Sequence, residues 1–123
     1  MITITEDDID INRTIEKAKH PDVGAIVTFT GIVRDDGIGG MEIEVQREPA
    51  VRELGTIRED ALKLFEIQSL EAIHRTGTLS VGDVIVTIVC SAPHRKDAFA
   101  ACEYVMDKLQ NVASIWKSEL RDE

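Results

Sequence analysis

Two cysteines in 123 residues, Cys90 and Cys102, are too few for a disulfide framework, and a chain of this length folds without covalent staples. Both are expected as small buried apolar groups. No stretch approaches the roughly 20 consecutive apolar residues of a membrane helix, and the opening MITITEDDID lacks the basic and apolar regions of a secretory signal, so a cytoplasmic protein is expected. Positive charge is scarce: 14 Lys and Arg against 23 Asp and Glu give a formal net charge of −9. That balance excludes a general nucleic-acid binder, whose affinity comes from neutralising phosphates, and requires any anion site to be local. Neither G-x-x-x-x-G-K-[ST] nor G-x-G-x-x-G occurs, and no Cys or His pair has zinc spacing, which removes the large nucleotide-dependent and structural-zinc classes. Repeats, low-complexity tracts and Pro/Ser-rich linkers are absent too, so residues 1–123 are expected to form a single domain.

What is present is a series of short periodic segments. Met1 to Thr5 alternates as a strand, and Asp10 is placed to cap a helix carrying Ile11, Ile15 and Ala18 on one face, closed by Pro21 to Gly24. Gly24 to Arg34, rich in β-branched residues, reads as a central strand covered on both faces. Asp35 to Gly40 carries three glycines and reads as a loop; Met41, Ile43 and Val45 then alternate against Glu42, Glu44 and Gln46 in a half-exposed strand. From Pro49 to about Gln68, Val51, Leu54, Arg58, Ala61, Leu62 and Phe65 trace an amphipathic helix. Strands follow at Leu70 to Thr76 and at Asp83 to Ser91, the second buried, joined through Gly77 and a turn at Val81-Gly82. Lys96 to Gln110 is a helix with Phe99, Cys102, Val105, Met106 and Leu109 on one stripe, and Ser114 to Leu120 is a last strand with Ile115 and Lys117 opposite Trp116. The order β-α-β-β-α-β-β-α-β implies a mixed, mainly antiparallel α+β sandwich with about three helices rather than a doubly wound parallel sheet.

In so acidic a chain, cations at the ends of apolar elements are the candidates for chemistry. Arg34 closes the apolar strand beside the glycine loop, where its guanidinium can grip an anion with two parallel hydrogen bonds or simply pair with Asp35 or Asp36. His94 and Arg95 stand before a helix, where free N–H groups favour a phosphate; a solvated turn is the alternative. Lys117, beside Trp116, can lay its stem on apolar surface and present its ammonium to a developing oxyanion, or snorkel as an ordinary surface lysine. His74-Arg75 fits strand-end hydrogen bonding or a subunit contact and is left outside the site. A Cys90–His94 nucleophilic pair lacks a third group to orient it.

Four ordered segments, GAIVTFTGIVRD (24–35), IHRTGTLSVGD (73–83), SAPHRKDAF (91–99) and YVMDKLQNVASIWKSE (104–119), resemble the large, catalytic subunit of molybdopterin synthase over nearly the whole chain. The resemblance implies an α/β hammerhead-type fold and a central homodimer with a ubiquitin-like sulfur-carrier small subunit at each outer end, a heterotetramer. The carrier would insert a Gly-Gly C-terminus bearing a thiocarboxylate. The implied reaction is sulfur transfer to cyclic pyranopterin monophosphate, forming the dithiolene of molybdopterin, with no metal or cofactor in this subunit. By the same resemblance Arg34, together with His94 and Arg95 from across the dimer, would hold the substrate, Phe29 and Met106 would shape the pocket, and Lys117 would be one of two lysines at the thiocarboxylate.

This sequence departs from the family pattern where the second lysine belongs. Seven positions before Lys117 stands Gln110, which hydrogen-bonds but carries no positive charge and is no amine nucleophile. Lys108 is no substitute on a helix, since two residues turn the side chain by about 200°. Gln110 therefore divides two readings: a synthase in which Lys117 carries the main role and Gln110 orients an oxygen, or a non-catalytic relative that binds the carrier protein as an adaptor. Two lesser departures are the absence of an aromatic residue in VQREPA (45–50) and the short stretch after Lys117, where relatives continue through a Gly- and Trp-containing tail.

Overall fold

A computed structural model of the chain describes residues 1–35 and 37–121, without the side chains of Ile38 and Arg121. In chain order the elements are β1 (Ile2–Thr5), α1 (Ile11–Lys17), β2 (Ala25–Ile32), β3 (Ile38–Val45), α2 (Arg47–Leu64), β4 (Ser69–Arg75), β5 (Gly77–Ser80), β6 (Val84–Ala92), α3 (Arg95–Leu109) and β7 (Ile115–Arg121). They build two sheets, β1-β4-β6-β2 and β5-β3-β7, in which β1 with β4 is the one parallel pair among the described residues. The class is α+β with three helices, as the segment order implies.

Local chemistry explains most boundaries. Asp10 caps α1, its carboxylate accepting from the Arg13 N–H at 3.0 Å. Pro49 falls in the first turn of α2, where a missing N–H costs nothing. That helix stops at Leu64, short of Gln68, because Phe65 turns extended and sets its ring edge-on to Tyr104 of α3. β5 was not expected. Its four residues are too short to show a period, and glycines with positive φ, Gly77 and Gly82, flank it; only its pairing with β3 makes it a strand. β3 begins at Ile38, so the last three residues of the expected loop are strand, where Gly40 admits the Leu79 backbone; Asp36 lies outside the described residues.

Two expectations about burial are corrected. The Gly24–Arg34 run is an edge, not a centre: β2 pairs only with β6 among the described residues, and Phe29 and Ile32 are exposed. Composition reports how apolar a strand's faces are, and not whether a second strand lies at its flank. The interior strands are β4 and β6, and β6 is buried from Ile85 through Ala92. The α3 stripe is also rotated. Ala98, Ala101, Cys102, Val105 and Leu109 face the sheet, leaving Phe99 60% exposed, and in α2 Val51 is likewise exposed while Leu54 and Ala61 are buried.

One apolar cluster joins the layers: Leu54 and Ala61 of α2, Leu70 of β4, Ile88 of β6 and Val105 of α3 continue into Ile43 and Leu79 of the smaller sheet. Arginines tie the N-terminal segment down. Arg47 and Arg75 donate to the Ile4 and Glu6 carbonyls at 2.7 and 2.9 Å, and the buried Arg75 also pairs with Asp8 at 3.1 Å. Strand-end hydrogen bonding, expected for His74-Arg75, is thus what Arg75 does. Among the described residues no helix is long and apolar enough to cross a membrane, and no His/Cys/Asp/Glu group could hold a metal ion.

Gly24 sets the start of α3. Its N–H donates to the Ala92 carbonyl at 2.9 Å, and a Cβ on it would overlap the Pro93 carbonyl oxygen. Gly24→Ala must push backbone against backbone, so a loss of about 1–3 kcal/mol is expected from urea denaturation, as for other overpacked sites. An unchanged midpoint would mean that the Pro93–His94 turn gives way freely.

Candidate active site

The pairing of β7 with β3 builds the first wall of the site. Lys117 stands opposite Ile43, and alternation sends Ile115 and Lys117 inward while Trp116, opposite Glu44, faces out and is 48% exposed. The second wall is the last turn of α3, which delivers Met106, Leu109 and the C-cap residue Gln110. The floor is sheet: Phe29 and Gly31 of β2 with Ile85 and Val86 of β6. Together these enclose a depression of about 170 Å³ in which Phe29, Met106, Gln110 and Lys117 meet. Four of the seven residues singled out from sequence therefore share one pocket. Phe29 and Met106 also line an adjoining, more apolar groove of about 380 Å³ with Phe99 and Cys102, so they form the ridge between the two.

Lys117 is solvent-accessible as a residue, yet its ammonium sits against enough apolar surface that desolvation holds its pKa below the usual lysine value. No salt bridge engages it among the described residues. Lys108, two residues before Gln110, is committed elsewhere: its Nζ lies 5.6 Å from the centre of the Tyr104 ring. The helix geometry that disqualified it as a replacement is what the structure shows.

The other three candidates are not among the residues that line this pocket. Arg34 is exposed two residues beyond β2, its place set by buried Val33, whose N–H donates to Asp83 at 3.0 Å and whose carbonyl accepts from Gly82 at 2.9 Å. His94 is the N-cap of α3 and makes no side-chain capping bond; Arg95 follows, and both are exposed. Gln110 caps the far end of the same helix, so roughly 20 Å separates the two groups along α3 at 1.5 Å per residue. His94 and Arg95 do not join the Lys117 pocket of their own chain. Cys90 is no partner for His94 either: it is fully buried, and desolvation pushes its thiol up to about 12.

The sequence reading missed one group near the site. His74, 2% exposed, lies within the field of Lys117, and burial above all lowers its pKa to about 4. The signal was available in the alternation Leu70, Ala72, His74, which puts the imidazole on the core face of β4.

Comparison with known proteins decides the family. The model of the MoaE protein family matches residues 4–111. A molybdopterin synthase catalytic subunit from Ralstonia nicotianae is 38% identical over 124 residues, covering 96% of this chain and 70% of that relative. The chain belongs to the MoaE family. Among solved structures, molybdopterin synthase from Staphylococcus aureus matches with a TM-score of 0.90 at 31% identity, covering 98% of this chain and 91% of that one. The complex of subunits 1 and 2 of molybdopterin-converting factor from Helicobacter pylori has the same fold, with a TM-score of 0.83 at 24% identity over 96% and 83% of the two chains.

Proposed function

We propose that this chain is the catalytic subunit of a molybdopterin synthase, transferring sulfur from a thiocarboxylated, ubiquitin-like small subunit to cyclic pyranopterin monophosphate in the cytoplasm. The observation that carries the reading is the convergence of Lys117, Gln110, Phe29 and Met106 on one pocket, where β2 meets the consecutive elements α3 and β7. The reactants named are anions, and in a chain of net charge −9 they need a local cation. Lys117 supplies one that no carboxylate neutralises among the described residues, already partly stripped of water, so an arriving thiocarboxylate loses less hydration than it gains in pairing. Phe29 and Met106 give the apolar wall for a flat ring. Gln110 offers amide donors to an oxygen at the place where the family pattern has an amine.

The distance along α3 favours a two-chain site. His94 and Arg95 are too far from their own Lys117 to share one small substrate, so in this proposal they reach the pocket of a second copy and, with Arg34, hold its phosphate. The exposed apolar edge at Phe29, Ile32 and Phe99 is available for that contact. The assembly is then a homodimer carrying two small subunits.

The test is direct. Purified chain is mixed with thiocarboxylated carrier and cyclic pyranopterin monophosphate, and dithiolene is measured; carrier binding without product supports the adaptor reading instead. Within the same assay Gln110→Lys is expected to raise the rate about tenfold, as one added electrostatic group can, and the C-terminal end of α3 favours the new cation. An unchanged rate would show that the amide already performs the step.

A further inference from the structure

Behind the pocket stands a side chain to which the proposed reaction gives no task. Register places Ile4, His74, Val86 and Gly31 in one row across β1, β4, β6 and β2, so their side-chain positions share a face. Val86 and Gly31 line the Lys117 pocket, and His74 is therefore one strand behind its wall. A second tie runs from the end of the same strand: the Thr76 hydroxyl donates to the Ile43 carbonyl at 2.9 Å, and Ile43 is the register partner of Lys117.

The tautomer of His74 follows from its bond. Nδ1 lies 2.7 Å from the Arg75 carbonyl oxygen, which can only accept, so Nδ1 carries the proton and Nε2 is a bare acceptor. That Nε2 is buried and has no hydrogen-bond partner among the described residues. Buried acceptors left unpaired are costly and uncommon, and one beside a functional pocket calls for a donor. Lys117 is the charged side chain whose field reaches it.

We infer that His74 is a positioning residue for Lys117: its bare Nε2 gives the ammonium an uncharged acceptor, directly or through one water, that orients it when reactants fill the pocket. This rests on the reading that Lys117 faces the reacting thiocarboxylate. An uncharged acceptor is what such a site requires. A carboxylate in this position would pair with Lys117 and cancel the charge meant for the substrate, whereas an imidazolium would repel it. The depressed pKa of His74 supports the same role, since the ring stays neutral across the physiological range.

Two side-chain amides separate positioning from structure. Asn at this position can replace the Nδ1 bond to Arg75 but is too short to stand in for Nε2, while Gln reaches the Nε2 position. His74→Asn is expected to lower kcat about tenfold with KM nearly unchanged, and His74→Gln to restore most of it. If His74 merely supports the strand, Asn is the better replacement and the order reverses, which would overturn the inference. A measurement on proteins that keep His74 avoids dependence on how these variants fold. In ¹⁵N-histidine spectra the wild type should show the Nδ1–H tautomer, with an Nε2 resonance that moves in Lys117→Ala when carrier protein and substrate are bound. An Nε2 signal indifferent to Lys117, or a protonated Nε2, overturns it even where Lys117→Ala has lost activity; full activity of Lys117→Ala would instead remove the underlying reading.

Discussion

Lys117→Ala should reduce dithiolene formation by about 10²–10³-fold, the range found when a single preorganised charge-stabilising donor is removed from an active site. The size follows from where the charge sits. Its ammonium is partly desolvated, shares the pocket with the apolar Ile85 and Val86, and meets no salt-bridge partner among the described residues, so nothing in the described pocket takes its place. Gln110 can donate hydrogen bonds without charge, and Lys108 is held over Tyr104. The fold should survive, because β7 is an edge strand and its pairing with β3 uses backbone groups that alanine keeps. Single-turnover assays with thiocarboxylated carrier, beside a thermal melt, check both halves. Undiminished activity in a folded variant would exclude Lys117 from the mechanism.

The second large effect is on stability in acid. His74 has a folded pKa of about 4 against roughly 6.5 for an unfolded histidine. Between these values the unfolded chain binds a proton that the native state refuses, so stability rises with pH there and is lost as pH falls. The contribution is fully present above about pH 6.5 and gone near pH 4, an expected loss of about 3 kcal/mol from this residue. Desolvation is the main cause, opposed by the bond to the Arg75 carbonyl and reinforced by the charge of Lys117. Urea denaturation at pH 7, 5.5 and 4 should show this loss in the wild type and a shallower slope in His74→Asn, which has no ring to protonate. Equal slopes would mean that acid instability originates elsewhere.

The two predictions meet at one place that the sequence disclosed only in part. The resemblance supplied Lys117, Gln110, Phe29 and Met106, and these do converge. His74 was set aside because a histidine beside an arginine at a strand end fits strand-end hydrogen bonding or a subunit contact, and strand-end hydrogen bonding is what Arg75 does. The two neighbours point to opposite faces of β4, one toward Glu6 and Asp8 and the other into the core, a distinction that alternation alone carries. Similarly, Phe99 was placed on the buried stripe of α3 by spacing. The stripe that packs on the sheet keeps Cys102, Val105 and Leu109 but takes Ala98 and Ala101 in place of Phe99 and Met106, a turn of roughly 50° at 100° per residue.

Local chemistry written in the chain was enough for the element types other than β5, the Asp10 cap, the burial of β6 and the placing of Lys117 on the face opposite Trp116, because each depends on period, capping or alternation within a few residues. Membership of the MoaE family was readable for the same reason, its motifs being contiguous. Only the tertiary structure made β2 an edge, paired β5 with β3 and brought β7, α3 and the β2-β6 floor around one pocket. Those outcomes depend on which strand lies beside which, a matter of long-range packing that residues distant in the chain decide jointly. The placement of a buried His74 in one row with two residues of the Lys117 pocket belongs to that second group: a strand's pattern sets the face of a side chain, and only the packed sheets set what it faces.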